Sequence, residues 1–305
     1  MYLYFTRPLE ELGHEVRTFD HHERSRRLGR VATTQELLRE IETGNDDIVF
    51  YQTASTEPVE TSALAELSRR RLIVAWNSDD DWQWVHTGPR AAHFTFMVTT
   101  YPSIHRANRL RVPNLLLSQW ACLESREPRL AKDIDFSFAG AVYKTRNADC
   151  RRLRRSAGLR CFGRGARLVN LGIPYFKGAF RLPLLSGEAI DFSEINAVWE
   201  RSRVSYTPLG GGPTGEVLSL KSRLFDMGFA RTLMLCELAP DLEAYYEPEK
   251  EFVSYRTLEE CAEKAAYYLR NESARAAIAD RYRRRTLADH LWTRRFRDLF
   301  AQMRI

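Results

Sequence analysis

The strongest constraint on how this chain folds is a recurrence of short apolar runs, each bounded by polar, Gly or Pro residues, with helical patterns between them. One series is Ile48–Tyr51, Leu72–Trp76, Phe94–Thr99 and Asn114–Ser118; a second is Ile134–Val142, Arg160–Phe162, Val204–Pro208, Thr232–Cys236 and Glu251–Tyr255. Runs this short and this continuously apolar fit strands covered on both faces, as in a parallel sheet. The intervening helices include Thr257–Arg270, which sets Leu258, Cys261, Ala262, Ala265 and Leu269 on one face. It opens with Thr257 and Glu260 in capping-box spacing. Strand and helix in alternation predict a doubly wound α/β architecture. Nine strands exceed one comfortable domain, and the polar stretch Glu124–Arg129 separates four from five. The expected organisation is a domain over residues 1–127, a second over 128–285, and a helical piece over 286–305. Two such sheets imply a ligand cleft at the carboxyl ends of their strands.

Composition narrows the function. Hydrophobic residues make up 44% of 305 and charged residues 28%, which is a globular balance. The net charge of +6 is matched by residues 281–305 alone, with eight Arg and two Asp. That distribution argues against nucleic acid as a partner across the whole chain. The basic segment is amphipathic, with Trp292, Phe296 and Phe300 beside Arg294, Arg295 and Arg297. With the helix face of Arg151, Arg154 and Arg155, it offers peripheral contact with an anionic membrane. No apolar run approaches the roughly 20 residues that span a bilayer. Five cysteines without a CxxC pair read as reduced core residues, and the expected compartment is the cytoplasm or the inner face of its membrane.

The richest segment begins at Val204, where a strand leads into Gly210-Gly-Gly-Pro-Thr-Gly215 and then a helical start at Leu218. A glycine turn such as Gly211–Gly212 exposes backbone N–H groups that suit a phosphate. Glu216 and Val217 stand where a Walker loop needs Lys and Ser/Thr, so it is not one. On a helix Arg223 and Asp226 point together, with Lys221 on a neighbouring face. Cations there suit diphosphate oxygens, and the carboxylate suits two ribose hydroxyls.

These pieces, in order, resemble the donor-binding half of group-1 glycosyltransferases, specifically the spore-maturation CgeB-like branch. The resemblance rests on Arg223-Leu-Phe-Asp226, Gly228, Thr232–Glu237 and Leu242–Val253, followed by Tyr267-Tyr-Leu269 and the helix from Ile278 to Arg285. Asp226 stands where that branch usually has Glu. In the first half, Gly13-His-Glu-Val16, Trp76–Asp81 and Phe138-Ala-Gly140…Arg146 fit more loosely. The resemblance implies a GT-B fold: two Rossmann-like domains, with the nucleotide sugar on the second and the acceptor on the first. The last helix is then expected to cross back onto the first domain. It also implies sugar transfer with retention of configuration, with the departing diphosphate stabilised by cations and not by a metal. The donor-binding candidates are Gly140, Lys144, Arg146, Gly211, Gly212, Asp226 and Glu237, with Arg223 and Lys221 acting on the leaving group. No resident cofactor is implied beyond the nucleoside-diphosphate sugar itself.

Asp79-Asp80-Asp81 follows the second strand of the first series. A metal-holding D-x-D would suit a GT-A transferase, but the two strand series point to GT-B. Asp80 is the candidate base, Asp79 and Asp81 are acceptor-side candidates, and helix capping competes with all three. Trp120 is a candidate platform for an acceptor sugar. The acceptor itself, whether glycan, lipid-linked or small molecule, stays open. Two other readings stand beside the transferase: a non-catalytic protein of the same fold, and an RNA-binding protein using the Arg-rich tail.

Overall fold

The computed structural model describes residues 2–53, 57–179, 182, 190–211, 217–239 and 241–305. The chain divides into two compact units, Met1–Trp120 with Trp292–Ile305, and Ala121–Leu291.

The first unit is built on β1 (Ile48–Gln52), β2 (Leu72–Asn77), β3 (Phe96–Thr99) and β4 (Leu115–Leu117). They are all parallel and lie in the order β1-β2-β3-β4. Its helices are α1 (Tyr2–Glu11), α2 (His21–Leu28), α3 (Arg30–Thr43), α4 (Leu64–Leu67), α5 (Asp80–Thr87), α6 (Pro102–Asn108) and the C-terminal α13 (Trp292–Met303). Ile73, Ala75 and Met97 of the sheet pack with Leu37 and Ile41 of α3 and Leu64 of α4. The spacing of Trp292, Phe296 and Leu299 puts all three on one face of α13, and all three are buried. Phe5 lies 5.2 Å from the Trp76 ring and 5.3 Å from that of Phe296; Trp76 and Trp292 are 5.6 Å apart. Each such side chain contributes about 1.5–3 kcal/mol by leaving water.

The second unit contains β5 (Ile134–Ala139), β6 (Arg160–Phe162), β7 (Ser202–Thr207), a short hairpin of β8 (Gly210–Gly211) with β9 (Val217–Leu218), β10 (Leu233–Glu237) and β11 (Val253–Tyr255). Its main sheet is parallel and runs β11-β10-β7-β5-β6. The helices are α7 (Lys144–Ala157), α8 (Ala166–Asn170), α9 (Phe192–Arg201), α10 (Arg223–Asp226), α11 (Leu258–Arg270) and α12 (Glu272–Asp289). α9 opens with a full capping box: Asp191 accepts from the Glu194 amide at 2.9 Å and Glu194 accepts from the Asp191 amide at 2.8 Å. Such a cap is worth about 1 kcal/mol. β5 sits between β6 on one side and β7 on the other, so the chain reverses its direction across the sheet there. Loops leaving two strands at such a point turn to opposite faces and leave a crevice.

All nine expected strands form, with ends shifted by at most three residues and Arg160–Phe162 matching at both. Other expectations differ from the structure. The polar stretch Glu124–Arg129 lies inside the second unit because Glu200, 1% exposed, needs partners. It pairs with Arg126 and accepts from the amides of Arg129 and Leu130. A buried carboxylate without such partners would be costly. The helix expected from Leu218 is reduced to the single turn α10, because β9 takes up 217–218. The helical piece expected over 286–305 is divided at His290, which caps α12 and bonds the Tyr245 carbonyl through Nε2 at 3.0 Å.

Candidate functional site

At the carboxyl end of β5 the chain turns through Gly140, whose φ of +142° favours glycine. A Cβ on Gly140 would stand 3.3 Å from the Phe138 ring and 3.5 Å from Arg223 Nη1. This turn leads through Tyr143 into α7. Lys144, the first residue of α7, has φ of +49°, a left-handed backbone that costs a non-glycine residue about 1 kcal/mol or more and concentrates at functional sites.

Arg146 spans the point of reversal. Its Nη1 donates to the Ala141 carbonyl after β5 and its Nη2 to the Gly210 carbonyl after β7, both at 2.9 Å. Its guanidinium lies 5.4 Å from the Tyr143 ring centre and 5.7 Å from that of Phe138. The Arg223 guanidinium, from α10, sits 5.2 Å from the same Phe138 ring. Two cations therefore share one aromatic ring. Arg146 satisfies its nitrogens on carbonyls, whereas Arg223 Nη1 is buried and reaches no hydrogen-bond partner among the described residues. Burial, with Arg146 beside it, pulls the Arg223 guanidinium down to about 9. A positive charge in this condition is stabilised by any anion that reaches it.

Glu237 closes the group at the end of β10, where its Oε2 accepts from the Leu209 amide at 2.5 Å. Its charge and burial raise the carboxyl of Asp149, with burial the larger cause. Gly140, Arg146, Gly211, Arg223 and Glu237 are thus gathered at the carboxyl ends of β5, β7 and β10 and the loops that follow them. Lys144 is exposed at the start of α7, Lys221 is half-buried two residues before α10, and Gly212 lies outside the described residues. Asp226 is 2% exposed. Its charge, after burial, raises the Cys122 thiol, whose Sγ donates to the Asp226 carbonyl at 3.4 Å. Gly228 has no room for a side chain, since a Cβ there would overlap the Thr286 side chain of α12. Sequence reasoning missed Phe138 and Tyr143 as the rings that carry the arginines; an aromatic next to the end of a strand and another just before a helix were the available signals.

In the first unit, Asp79 occupies the N-cap position of α5 but its side chain makes no capping hydrogen bond. Asp80 turns inward and is fully buried. Its Oδ1 accepts from Thr87 Oγ1 at 2.8 Å, and Oδ2 reaches no hydrogen-bond partner among the described residues. Burial raises the Asp80 carboxyl; the Thr99, Thr87 and Asn77 side chains oppose that rise, and the Asp81 charge adds to it. A cavity of about 160 Å³ opens here, lined by Asp79, Asp80, Asn77, Thr53, Gln83 and Thr87 among others. It lies at the carboxyl ends of β1 and β2. Among the described residues no group of three or more His, Cys, Asp or Glu converges as metal ligands. Trp120 is half-buried, with its ring centre 6.1 Å from that of Tyr4 and 6.2 Å from that of Trp292, both in edge-on geometry. All five cysteines are free and buried. No described helix is long and apolar enough to cross a membrane.

Comparison with known proteins bears on both units. No curated protein matches the chain. Among solved structures, a sucrose-phosphate synthase from Thermosynechococcus elongatus superposes with a TM-score of 0.59 at 11% identity, covering 89% of this chain and 78% of that one. An alpha-glucosyltransferase solved with UDP and a 13-mer DNA gives 0.60 at 11% identity, over 89% and 84%. A glycosyltransferase from Rickettsia africae ESF-5 gives 0.56 at 9% identity, over 97% and 86%. At such identities the likeness shows the fold, which is GT-B. A family model described as "Glycosyl transferase-like" matches residues 122–301, more than half of the sequence and nearly all of the second unit. The chain therefore belongs to the glycosyl transferase-like family, as a glycosyltransferase of two Rossmann-like α/β units.

Proposed function

We propose that this enzyme moves a glycosyl group from a nucleoside-diphosphate sugar to a hydroxyl-bearing acceptor, with the donor held at the carboxyl ends of β5, β7 and β10. The observation that carries this reading is the desolvated Arg223, whose Nη1 has no described partner and whose charge is opposed by Arg146. A diphosphate supplies the charge that this arrangement lacks. As the bond from the sugar to the diphosphate breaks, negative charge grows on the departing oxygen. Arg223, with Lys221 and Arg146, stabilises that charge in a site already drained of water. Asp226, on the same helical turn as Arg223, is assigned to the ribose hydroxyls. Glu237 is assigned to the sugar or base, and the exposed Lys144 to the outer phosphate oxygens. UDP in the solved alpha-glucosyltransferase supports a nucleotide as the leaving group, since the two chains share a fold.

Asp80, with Asp79 and Asp81 beside it, is assigned to the acceptor hydroxyl. A carboxyl raised by burial accepts a proton more readily than an ordinary one. Retention of configuration, independence from a metal and membership of the CgeB-like branch remain part of the same reading. They rest on the order of motifs from Arg223 to Arg285.

The test is a melting-shift screen of the whole chain against UDP-, GDP- and dTDP-sugars. One of them is expected to raise Tm, since a ligand at a hundred times its Kd contributes about 2.7 kcal/mol. The shift should be lost in Arg223→Met and persist in EDTA. No shift with any of the three, or an equal shift in Arg223→Met, would remove the donor site from this place.

A further inference from the structure

The tail is not the only concentration of positive charge. Residues 150–177, past the donor-site Lys144 and Arg146, contain eight Lys or Arg and no acid, a surplus of eight in a chain whose total is +6. These residues form one edge of the second unit. Arg154 Nη2 donates to the Asn170 carbonyl at 3.0 Å and ties α7 to the end of α8. Asn147 accepts from the Tyr175 amide at 3.0 Å, which lays the following segment along the same helix. Arg152, Arg154, Arg155, Arg160, Arg164 and Arg167 are all exposed. Glu259 of α11 pairs with Arg152 and marks where the patch ends.

Two further features separate this edge from an ordinary solvated face. A cavity of about 260 Å³ opens on it, lined by Arg154, Arg160, Phe162 and Asn170, with the Arg160 guanidinium 5.5 Å from the Phe162 ring centre. Leu171, next to the lining residue Asn170, is 64% exposed, and Phe176, farther along the segment that follows α8, is 41% exposed. The C-terminal segment lacks this combination: Trp292, Phe296 and Leu299 are buried in the first unit. Arg281, Arg283 and Arg285 donate to the carbonyls of Lys250, Phe229 and Tyr245.

We propose that the edge formed by α7, β6, α8 and the segment to Phe176 docks on an anionic lipid bilayer. The arginines meet headgroup phosphates, the cavity receives one of them, and Leu171 and Phe176 enter the acyl boundary. Apolar side chains set among cations favour a bilayer over nucleic acid, which offers phosphates but no apolar phase. The inference stands on the charge and exposure of this edge and does not depend on the donor reading.

The experiment is co-sedimentation of the full chain with phosphatidylcholine vesicles, with and without phosphatidylglycerol. Binding is expected only with the anionic lipid, and it should weaken as salt rises. Replacing Arg154, Arg155 and Arg160 together by Gln removes about 1 kcal/mol each, so binding falls roughly a hundredfold. L171S with F176S reduces it further at high salt, where the apolar share remains. Unchanged far-ultraviolet circular dichroism and Tm keep these surface variants interpretable. Equal binding to neutral vesicles, an unaffected triple variant, or preference for an RNA duplex over anionic vesicles would each overturn the proposal.

Discussion

The carboxyl ends of the two parallel sheets are alike in backbone and opposite in chemistry. In the first unit the strands follow one another in order, and the pocket at β1 and β2 is lined by amides, hydroxyls and the carboxylates of Asp79 and the buried Asp80. In the second unit the sheet reverses direction at β5, and the loops from β5 and β7 bring Arg146 and Arg223 onto one phenylalanine ring. At this end of its sheet the first unit thus holds an acid, Asp80, and the second a cation, Arg223, that burial leaves poorly accommodated for its charge. Local pattern makes the sheets similar; the side chains delivered by the loops make them differ. The proposed function assigns the diphosphate to the second of these ends and the acceptor hydroxyl to the first.

The largest effect expected on this contrast is at Arg223. Arg223→Met should lower kcat/KM by about a hundred- to a thousandfold, the loss typical of one preorganised charge on a leaving group. Tm of the free protein should not fall, because the variant removes a desolvated cation. A parallel loss of Tm and activity would make Arg223 a structural residue. Arg146 predicts the reverse balance. Arg146→Met leaves the Ala141 and Gly210 carbonyls unsatisfied and should cost about 2–4 kcal/mol of stability in chemical denaturation. If Arg146→Met leaves stability intact, the bridge between β5 and β7 is not what holds the pocket.

A smaller effect is expected at Asp80. Its folded pKa is raised, so the folded state holds the proton more tightly than the unfolded one. Stability is therefore fully present below the ordinary carboxyl value near 3.9 and declines as pH climbs through the raised folded value. Asp80→Asn should abolish that decline, raise Tm at neutral pH by about 2 °C and lower kcat. A lower Tm in this variant would show that the ionised carboxylate is part of the frame.

The mildest prediction concerns Lys132, half-buried just before β5 at the opposite end of the second sheet. Its Nζ donates to the Ala230 carbonyl at 2.7 Å and to Thr232 Oγ1 at 2.9 Å, and burial pulls it down to about 7. Between that value and its ordinary value near 10.4 the unfolded chain binds the extra proton, so stability should rise with pH across that window. The slope is at most about 1.4 kcal/mol per pH unit, and Lys132→Met should flatten it in urea titrations at pH 7 to 10. Nucleotide affinity should not change, which distinguishes a buried charge at the amino end of the sheet from one at the carboxyl end.

Much of the frame was legible residue by residue. Val74, Ala75 and Trp76, or Leu233 to Cys236, are strands because a continuous apolar run needs cover on both faces. Trp292, Phe296 and Leu299 recur at helical spacing, and α9 announces its start with Asp191 and Glu194. The site was legible only in its residue types. Arg146 and Arg223 were singled out as cations, but their meeting over Phe138 joins β5 to a turn more than eighty residues later. Nothing local to Trp120 reveals that the rings of Tyr4 and Trp292 lie edge-on beside it.

By itself the sequence determined the nine strands, the α/β class, the burial of the cysteines and the sign of the charge near each candidate pocket. These follow from periodicity and side-chain chemistry, which act over a few residues. The tertiary structure alone decided that Arg146 is bonded while Arg223 Nη1 has no partner among the described residues, that Asp80 faces inward, and that the tail's apolar stripe is core while Leu171 and Phe176 stay in water. Each of those outcomes depends on which distant segment arrives beside a side chain, and only the closed chain fixes that.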